Sequence, residues 1–352
     1  MPLSPGDPAP FFKAPTASTP EFIFDTAAGR YVLLLFAPSD PQARHAALKQ
    51  LAANQALFDD VRASAFVVLG PQASTPGVRD LRGLRWFLDA DGAVGRLYGA
   101  LDADGGEQPF WLVLDPTLRV LWQAPAEDAE AVFQRLANLP PPGEHAGAVT
   151  PAPVLVAPRI FEPELCRELI GLHQSQGAAF TGVMRDEGDV TVHVMDELKK
   201  RRDLLIRDPA LVATLKDRLE RRLFPMIGRA LGFEATHVER YLVSCYDAEE
   251  GGVFHAHRDN TTFQTAHRRF ACSINLNDDF EGGDLRFPEF GPQIYRPPLG
   301  GAVVFACGLL HEVSRVRAGR RYAFVPFFFD AAGAAVRAAY EARVAARAEP
   351  SA

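Results

Sequence analysis

The chain holds 352 residues, with Lys+Arg 37 against Asp+Glu 44 for a formal charge of -7, 47% hydrophobic and 23% charged. Disorder throughout is excluded, and at roughly 100–200 residues per domain the length suits two domains or one large one. The mild acidity offers no basic field for phosphates, so no nucleic acid is expected as a partner, and no run of about 18 apolar residues marks a membrane span.

The opening MPLSPGDPAPFFKAP lacks the basic-then-apolar order of a secretion signal. Cys166, Cys245, Cys272 and Cys307 form neither CxxC pairs nor a dense disulfide framework. They are expected as buried thiols of a soluble, cytoplasmic protein.

In chain order, residues 31–36 and 65–69 are short, continuous apolar runs, the pattern of strands buried on both faces. Between them, residues 41–61 interleave Leu48, Leu51, Ala52, Leu57 and Phe58 with polar residues, which predicts an amphipathic helix with Pro41 in its first turn. A hairpin over residues 110–114 and 118–122 follows, then a closing helix over residues 127–139. The expected first domain, residues 1–139, is a small α/β sandwich.

Pro, Gly and Ala crowd residues 140–154, which read as a linker. The expected second domain, residues 155–335, opens with helical periods over residues 163–176 and 209–231. Short strands come next, over residues 238–246, 271–276, 284–287, 301–305 and 321–329. Many strands without intervening helices predict an antiparallel barrel or double-sheet jelly roll, braced outside by helices. Residues 336–352 are left as a tail.

His257 and Asp259 stand two apart in Phe254-His255-Ala256-His257-Arg258-Asp259, and in a strand the side chains at i and i+2 share a face. His311, after the apolar strand that ends near Phe305, offers a second imidazole. Two histidines and one carboxylate on one side of a metal form the facial triad of non-haem Fe(II) oxygenases; a zinc hydrolase is the competing metal chemistry. Arg320-Arg321-Tyr322-Ala323-Phe324-Val325 then sets a permanent cation at the start of an apolar strand, and a guanidinium fork suits the far end of a dicarboxylate. With Arg321 inward, Ala323 also points inward, Tyr322 and Phe324 pack on the other face, and Arg320 faces away.

From about residue 238 to 330 the sequence resembles the 2-oxoglutarate/Fe(II)-dependent dioxygenases of the prolyl 4-hydroxylase type. The matching stretches are Val243-Ser244-Cys245-Tyr246, His257-Arg258-Asp259, Ser273-Ile274-Asn275-Leu276-Asn277, Glu281-Gly282-Gly283-Asp284-Leu285-Arg286-Phe287, and His311 through Gly319-Arg320-Arg321-Tyr322. The family's HxD…H…R pattern falls on His257, Asp259, His311 and Arg321, and its tyrosine before HxD falls on Tyr246. The resemblance implies a double-stranded β-helix with Fe(II) on His257, Asp259 and His311. It also implies that Arg321 holds the distal carboxylate of 2-oxoglutarate and that Tyr246 contacts this co-substrate. The implied reaction consumes dioxygen and 2-oxoglutarate, hydroxylates a C–H bond and releases succinate and carbon dioxide, with ascorbate supporting turnover. Asp259, where a small residue would otherwise stand, favours hydroxylation over halogenation. Gly282-Gly283 fits a tight strand connection beside the barrel mouth. The prime substrate stays open: a prolyl or other residue in a protein, a free amino acid, or a small metabolite.

Residues 3–138 resemble the peroxiredoxin/thioredoxin-like family. Gly6-Asp7-Pro8-Ala9-Pro10-Phe11 is similar to its opening, and Phe36-Ala37-Pro38-Ser39-Asp40-Pro41 stands at its active-site loop. Peroxide reduction needs a thiolate in that loop, yet the first cysteine is Cys166. The domain is therefore expected to be redox-inactive, a scaffold that binds a partner or presents substrate.

Two other readings stand beside the dioxygenase: a thiol peroxidase with an accessory second half, and a non-catalytic binding protein stabilised by metal. His255 shares parity with His257 and Asp259 and reads first as a packed, hydrogen-bonded histidine. His267 reads as part of a solvated loop, and His193 and His237 receive no site role. The run Lys199-Lys200-Arg201-Arg202-Asp203 could meet an acidic substrate but reads as a solvated face or mobile loop. Asn275 and Asn277 either line the pocket or satisfy neighbouring backbone.

Overall fold

The computed structural model describes residues 3–73 and 77–348. Residues 1–2 of the expected first domain and 349–352 of the expected tail lie outside the described residues. The chain divides into two compact units, Met1–Ala152 with Pro288–Pro292, and Pro153–Phe287 with Gln293–Ala352.

The first unit runs β1 (Tyr31–Phe36), α1 (Pro41–Ala53), β2 (Ala63–Leu69), β3 (Leu84–Leu88), α2 (Ala93–Tyr98), β4 (Phe110–Leu114), β5 (Val120–Pro125) and α3 (Ala129–Ala137). Its sheet has the order β3-β2-β1-β4-β5, parallel through β1, β2 and β3 and antiparallel beyond. The central strand β1 is apolar along its length because both faces are covered. Tyr31, Leu33 and Leu35 pack with Leu51 of α1 and with Val132 and Phe133 of α3. Phe24, Phe66 and Phe87 cluster together through their rings.

The Asp40 carboxylate caps α1 by accepting from the Ala43 N–H at 2.8 Å, with Pro41 in the first turn. The helix stops at Ala53, short of the predicted residue 61. Asp59 accepts from the backbone N–H groups of Val61 and Arg62 at 2.9 and 2.7 Å, which holds a turn in competition with helix. β3 and α2 were not predicted. The six residues of α2 carry less than two helical turns of pattern, and Asp89 anchors them by accepting from the Val94 and Gly95 N–H groups.

The second unit runs α4 (Pro163–Ser175), β6 (Val183–Glu187), β7 (Val190–Val194), β8 (Lys199–Lys200), β9 (Arg202–Leu205), α5 (Pro209–Arg218), α6 (Phe224–Leu231), β10 (Leu242–Asp247), β11 (Val253–His257), β12 (Phe270–Asn275), β13 (Leu285–Arg286), β14 (Ala302–Ala306), β15 (His311–Val313), β16 (Arg320–Phe324), β17 (Phe327–Phe329) and α7 (Ala331–Ala348). The larger sheet contains β17-β12-β16-β10-β9, with β14 also on β12, and the smaller contains β8-β11-β15-β13; all these pairings are antiparallel. This is a two-sheet jelly-roll arrangement. Strand alternation divides the larger sheet's faces. Val243, Cys245, Cys272, Ile274, Tyr322, Phe324 and Phe328 form a core with Leu165 and Leu169 of α4 and with Leu215, Leu219, Leu223 and Ile227. Ser244, Tyr246, Ser273, Asn275, Arg321 and Ala323 alternate with them and face the opposite way, where the site lies.

Three expectations are corrected here. Residues 336–348, expected as tail, continue α7, an Ala-rich helix that also carries an i,i+4 bond from Arg337 to Glu341 at 2.8 Å. The run from Lys199 to Asp203 is not a solvated loop: Lys199, Arg201 and Asp203 are buried and sit on or beside β8 and β9. His267 is buried as well, with Nε2 3.0 Å from the Glu239 carboxylate. Opposite charge sustains the burial in both cases, from Asp203 within the run itself and, for His267, from the sequence-distant Glu239.

Candidate metal centre

β11 and β15 run side by side, and their register sets His257 opposite His311. Asp259 follows β11 in a turn pinned by its own N–H, which donates to the Cys307 carbonyl at 3.0 Å. One ligand atom from each of His257, Asp259 and His311 lies within 4.8 Å of the others. His257 Nε2 is 3.5 Å from Asp259 Oδ1, and His311 Nε2 is 3.3 Å from Asp259 Oδ2.

The remaining ring nitrogens fit a metal at this point. His257 Nδ1 lies 2.7 Å from the His255 carbonyl, and His311 Nδ1 lies 3.0 Å from the Leu309 carbonyl. A carbonyl can only accept, so each Nδ1 carries the proton and each Nε2 turns its lone pair toward the carboxylate. Burial and the neighbouring His311 hold His257 below the usual imidazole range. Burial opposes ionisation of Asp259, but the facing His311 and His257 hold its carboxyl well below the usual range. An imidazole held below its usual range at His257 and an ionised carboxylate at Asp259 are the states that a cation requires. Phe254 stacks on His257 with ring centroids 3.5 Å apart, and Phe305 lies 4.6 Å from His311, so both rings are held from behind.

Deeper on the larger sheet, Arg321 is buried among neutral partners. It donates to Ser273 Oγ at 2.8 Å and to Asn275 Oδ1 at 3.1 and 3.3 Å, and its guanidinium lies 5.5 Å from the Tyr246 ring centre. Tyr246 is buried and accepts from Arg201 Nη1 at 3.3 Å. Arg320, on the other parity, pairs outward with Asp247 at 2.6 Å. Asn275 therefore orients the guanidinium, whereas Asn277 serves backbone: it accepts from the Tyr322 N–H and donates to the Arg320 carbonyl.

His255 departs from expectation. The register between β11 and β15 is irregular from Phe254 to His257, so strict alternation fails there. His255 is exposed, and only its backbone takes part: its N–H donates to Leu198 and its carbonyl accepts from His257.

Sequence reasoning missed an inner ring of charge. Asp203 accepts from Arg201 Nη2 at 2.8 Å, from Lys199 Nζ at 3.4 Å, from Ser244 Oγ at 2.7 Å and from Thr181. Glu239 accepts from Arg268 Nε and Nη2, both at 2.6 Å, and Arg268 Nη1 reaches the Asp259 carbonyl at 3.2 Å. The signal available beforehand was strand parity: Ser244, which holds Asp203, shares it with Tyr246.

Residues 241–329 match the 2OG-Fe(II) oxygenase superfamily. The second unit thus carries a 2OG-Fe(II) oxygenase domain, and the chain is an oxygenase enzyme of a class that uses Fe(II), 2-oxoglutarate and dioxygen. A PKHD-type hydroxylase of Acinetobacter baumannii is 27% identical over 171 residues, covering 43% of this chain and 72% of that relative. Among solved structures, a Burkholderia pseudomallei oxidoreductase of the 2OG-Fe(II) oxygenase family is similar at TM-score 0.37 and 19% identity, covering 50% of this chain and 84% of the other. A Pseudomonas putida prolyl-4-hydroxylase is similar at TM-score 0.37 and 16% identity, over 51% and 92% of the two chains. Among the described residues, no helix is long and apolar enough to cross a membrane.

Proposed function

We propose that this oxygenase hydroxylates a C–H bond of a prime substrate, with His257, Asp259 and His311 holding Fe(II) and Arg321 holding the distal carboxylate of 2-oxoglutarate. The convergence of three ligand atoms within 4.8 Å, with both imidazoles tied through Nδ1, carries this reading. The iron and keto acid supply the oxidising chemistry, in which one oxygen atom enters succinate and the other enters the product as carbon dioxide leaves. The protein's part is placement. Arg321, with only neutral partners, offers an uncompensated guanidinium to a carboxylate, and Tyr246 is in position to assist through its hydroxyl. A prolyl or other residue in a protein is one candidate substrate, and ascorbate is the candidate reductant that returns oxidised iron to Fe(II).

The first unit, with three parallel strands followed by an antiparallel pair, suits a thioredoxin-like domain. With no cysteine before Cys166 it has no peroxidatic thiol, so we assign it a partner-binding or substrate-presenting role. A thiol peroxidase is disfavoured further by the cysteines themselves. All four are buried, and burial pushes Cys166 and Cys245 up to about 11 and Cys272 and Cys307 higher still, away from thiolate character. Buried free thiols also suit a reducing cytoplasm.

The test is anaerobic titration of the full chain with Fe(II) and 2-oxoglutarate, followed by succinate release on admitting oxygen. A visible charge-transfer band in the wild type that is lost in His257→Ala is the expected result. Failure of the wild type to form that band would refute the proposal.

A further inference from the structure

Arg240 is, besides Arg321, an interior cation with no ion-pair partner among the described residues. Arg240 lies two residues before β10, and its guanidinium lies 4.7 Å from the ring centre of Phe327. Phe328 packs into the helix-side core, so its neighbour Phe327 faces the site side of the larger sheet. Arg268 stacks on the same ring at 3.9 Å while touching the Asp259 carbonyl, so Arg240 lies one aromatic ring away from a residue of the metal loop. Arg240 Nε is buried with no acceptor, and among the described residues no carboxylate comes within ion-pair distance of its guanidinium. The residue as a whole remains partly accessible.

Both nearby carboxylates are already engaged. Asp203 is taken by Arg201 and Lys199, and Glu239 by Arg268 and His267. The Asp284–Arg296 pair near Arg321 is neutral as a unit. Lys199, Arg201, Arg240, Arg268 and Arg321 thus outnumber Asp203, Glu239 and Asp259. Fe(II) and the 2-oxoglutarate dianion carry equal and opposite formal charge, so loading both leaves the excess in place. Burial and the facing Arg268 draw Arg240 down to about 10, against the pull of Glu239 and Asp203. A charge whose Nε is buried without an acceptor is costly, and ligand sites are where such cost is retained.

We propose that the prime substrate carries a carboxylate and that Arg240 is the residue that receives it. The substrate class is then an acidic one, either a peptide bearing Asp or Glu or a free carboxylic acid. This rests on the oxygenase reading above and narrows its substrate.

The full chain is loaded with Mn(II) and N-oxalylglycine, an inert 2-oxoglutarate analogue, and melted in rising sulfate against sodium chloride of matched ionic strength. A saturable rise in Tm is expected for the wild type and is lost in Arg240→Gln. Without sulfate, Arg240→Gln is expected to melt at or above the wild type, because it removes a cation without a partner. No saturable response, a response that the variant keeps, or a variant melting several degrees lower without sulfate would overturn the proposal; the last would mean that stacking on Phe327 is a structural role. Succinate release is then followed with two substrate pools, free carboxylic and amino acids in one and acidic peptides in the other. The pool that stimulates the wild type but not Arg240→Gln identifies the source of the carboxylate; stimulation by neither, or by neutral compounds alone, overturns the substrate assignment. If the wild type lacks the Fe(II)–2-oxoglutarate band, the oxygenase reading fails whatever sulfate does. A normal band without the sulfate response sinks this inference alone.

Discussion

Arg268 offers the sharpest probe of how the fold holds the site. Its guanidinium makes two 2.6 Å bonds to Glu239, one 3.2 Å bond to the Asp259 carbonyl and a 3.9 Å stack on Phe327, all with side chains about one-tenth exposed. Arg268→Met keeps the stem but leaves Glu239 buried with His267 alone. Breaking a buried pair by removing one partner costs about 3–5 kcal/mol. At about 2–4 °C per kcal/mol for a unit of this size, the second unit's Tm falls by roughly 6–20 °C. Because the same guanidinium fixes the carbonyl of a metal-loop residue, Fe(II) affinity falls as well, by about 10–100-fold. Calorimetry in chelator reads the first effect without metal linkage, and anaerobic Fe(II) titration reads the second. Arg268→Met/Glu239→Leu removes both charges together and is expected to recover much of the Tm, but not the metal affinity. Loss of stability with unchanged Fe(II) affinity would refute the view that Arg268 positions Asp259. An unchanged Tm would refute the buried pair itself.

Lys199 titrates in the neutral range, since burial and then Arg201 bring it down to about 7 from its ordinary 10.5. Below about pH 7 both folded and unfolded chains hold the proton and the penalty of the buried charge is full. Between 7 and 10.5 the folded state releases it while the unfolded state keeps it, so stability rises with pH, and Lys199→Met is expected to flatten that rise in urea melts. Arg321→Met, which removes a charge-assisted pair worth about 1.5–3 kcal/mol, weakens 2-oxoglutarate binding by roughly 10–100-fold in the charge-transfer titration while leaving Fe(II) affinity near the wild-type value. At Gly283, where φ is +63°, a Cβ would sit 3.0 Å from Arg321 Cδ and 2.9 Å from Val316 Cγ2. Gly283→Ala is therefore expected to raise the KM for 2-oxoglutarate more than it lowers kcat, and an effect confined to kcat would refute the contact's role in seating Arg321.

The parts of this molecule that were legible in advance share one physical property: their signal is local. Residues 31–36 and 110–114 read as strands because burial on both faces makes every position apolar, and β1 and β4 are such strands. His257, Asp259 and His311 were legible as donors because imidazole and carboxylate at strand spacing are chemically unusual, and β11 and β15 bring them together. Parity failed at His255, where one irregular register step was enough to turn the side chain outward. It failed to be applied at residues 199–203, where a charged run defaults to solvent in any reading of composition. What reverses that default is remote. Thr181, Ser244 and Tyr246 satisfy Lys199, Arg201 and Asp203 from 18 to 45 positions away, and the Ser244 and Tyr246 contacts exist only once β9 and β10 pair.

The same remoteness explains why a surplus can be informative. Lys199 and Arg201 have Asp203 within their own run and Arg268 meets Glu239 from 29 positions away, so buried cations at this face are repeatedly neutralised. Arg240 lies within the electrostatic reach of Glu239 and Asp203, yet both anions are oriented by other donors, Ser244 and Thr181 among them. A guanidinium with no role would be expected to take one of these carboxylates or turn to solvent, since either lowers the energy of the free protein. Its Nε stays buried against Phe327 without an acceptor, an arrangement that an anion arriving from outside the chain would complete.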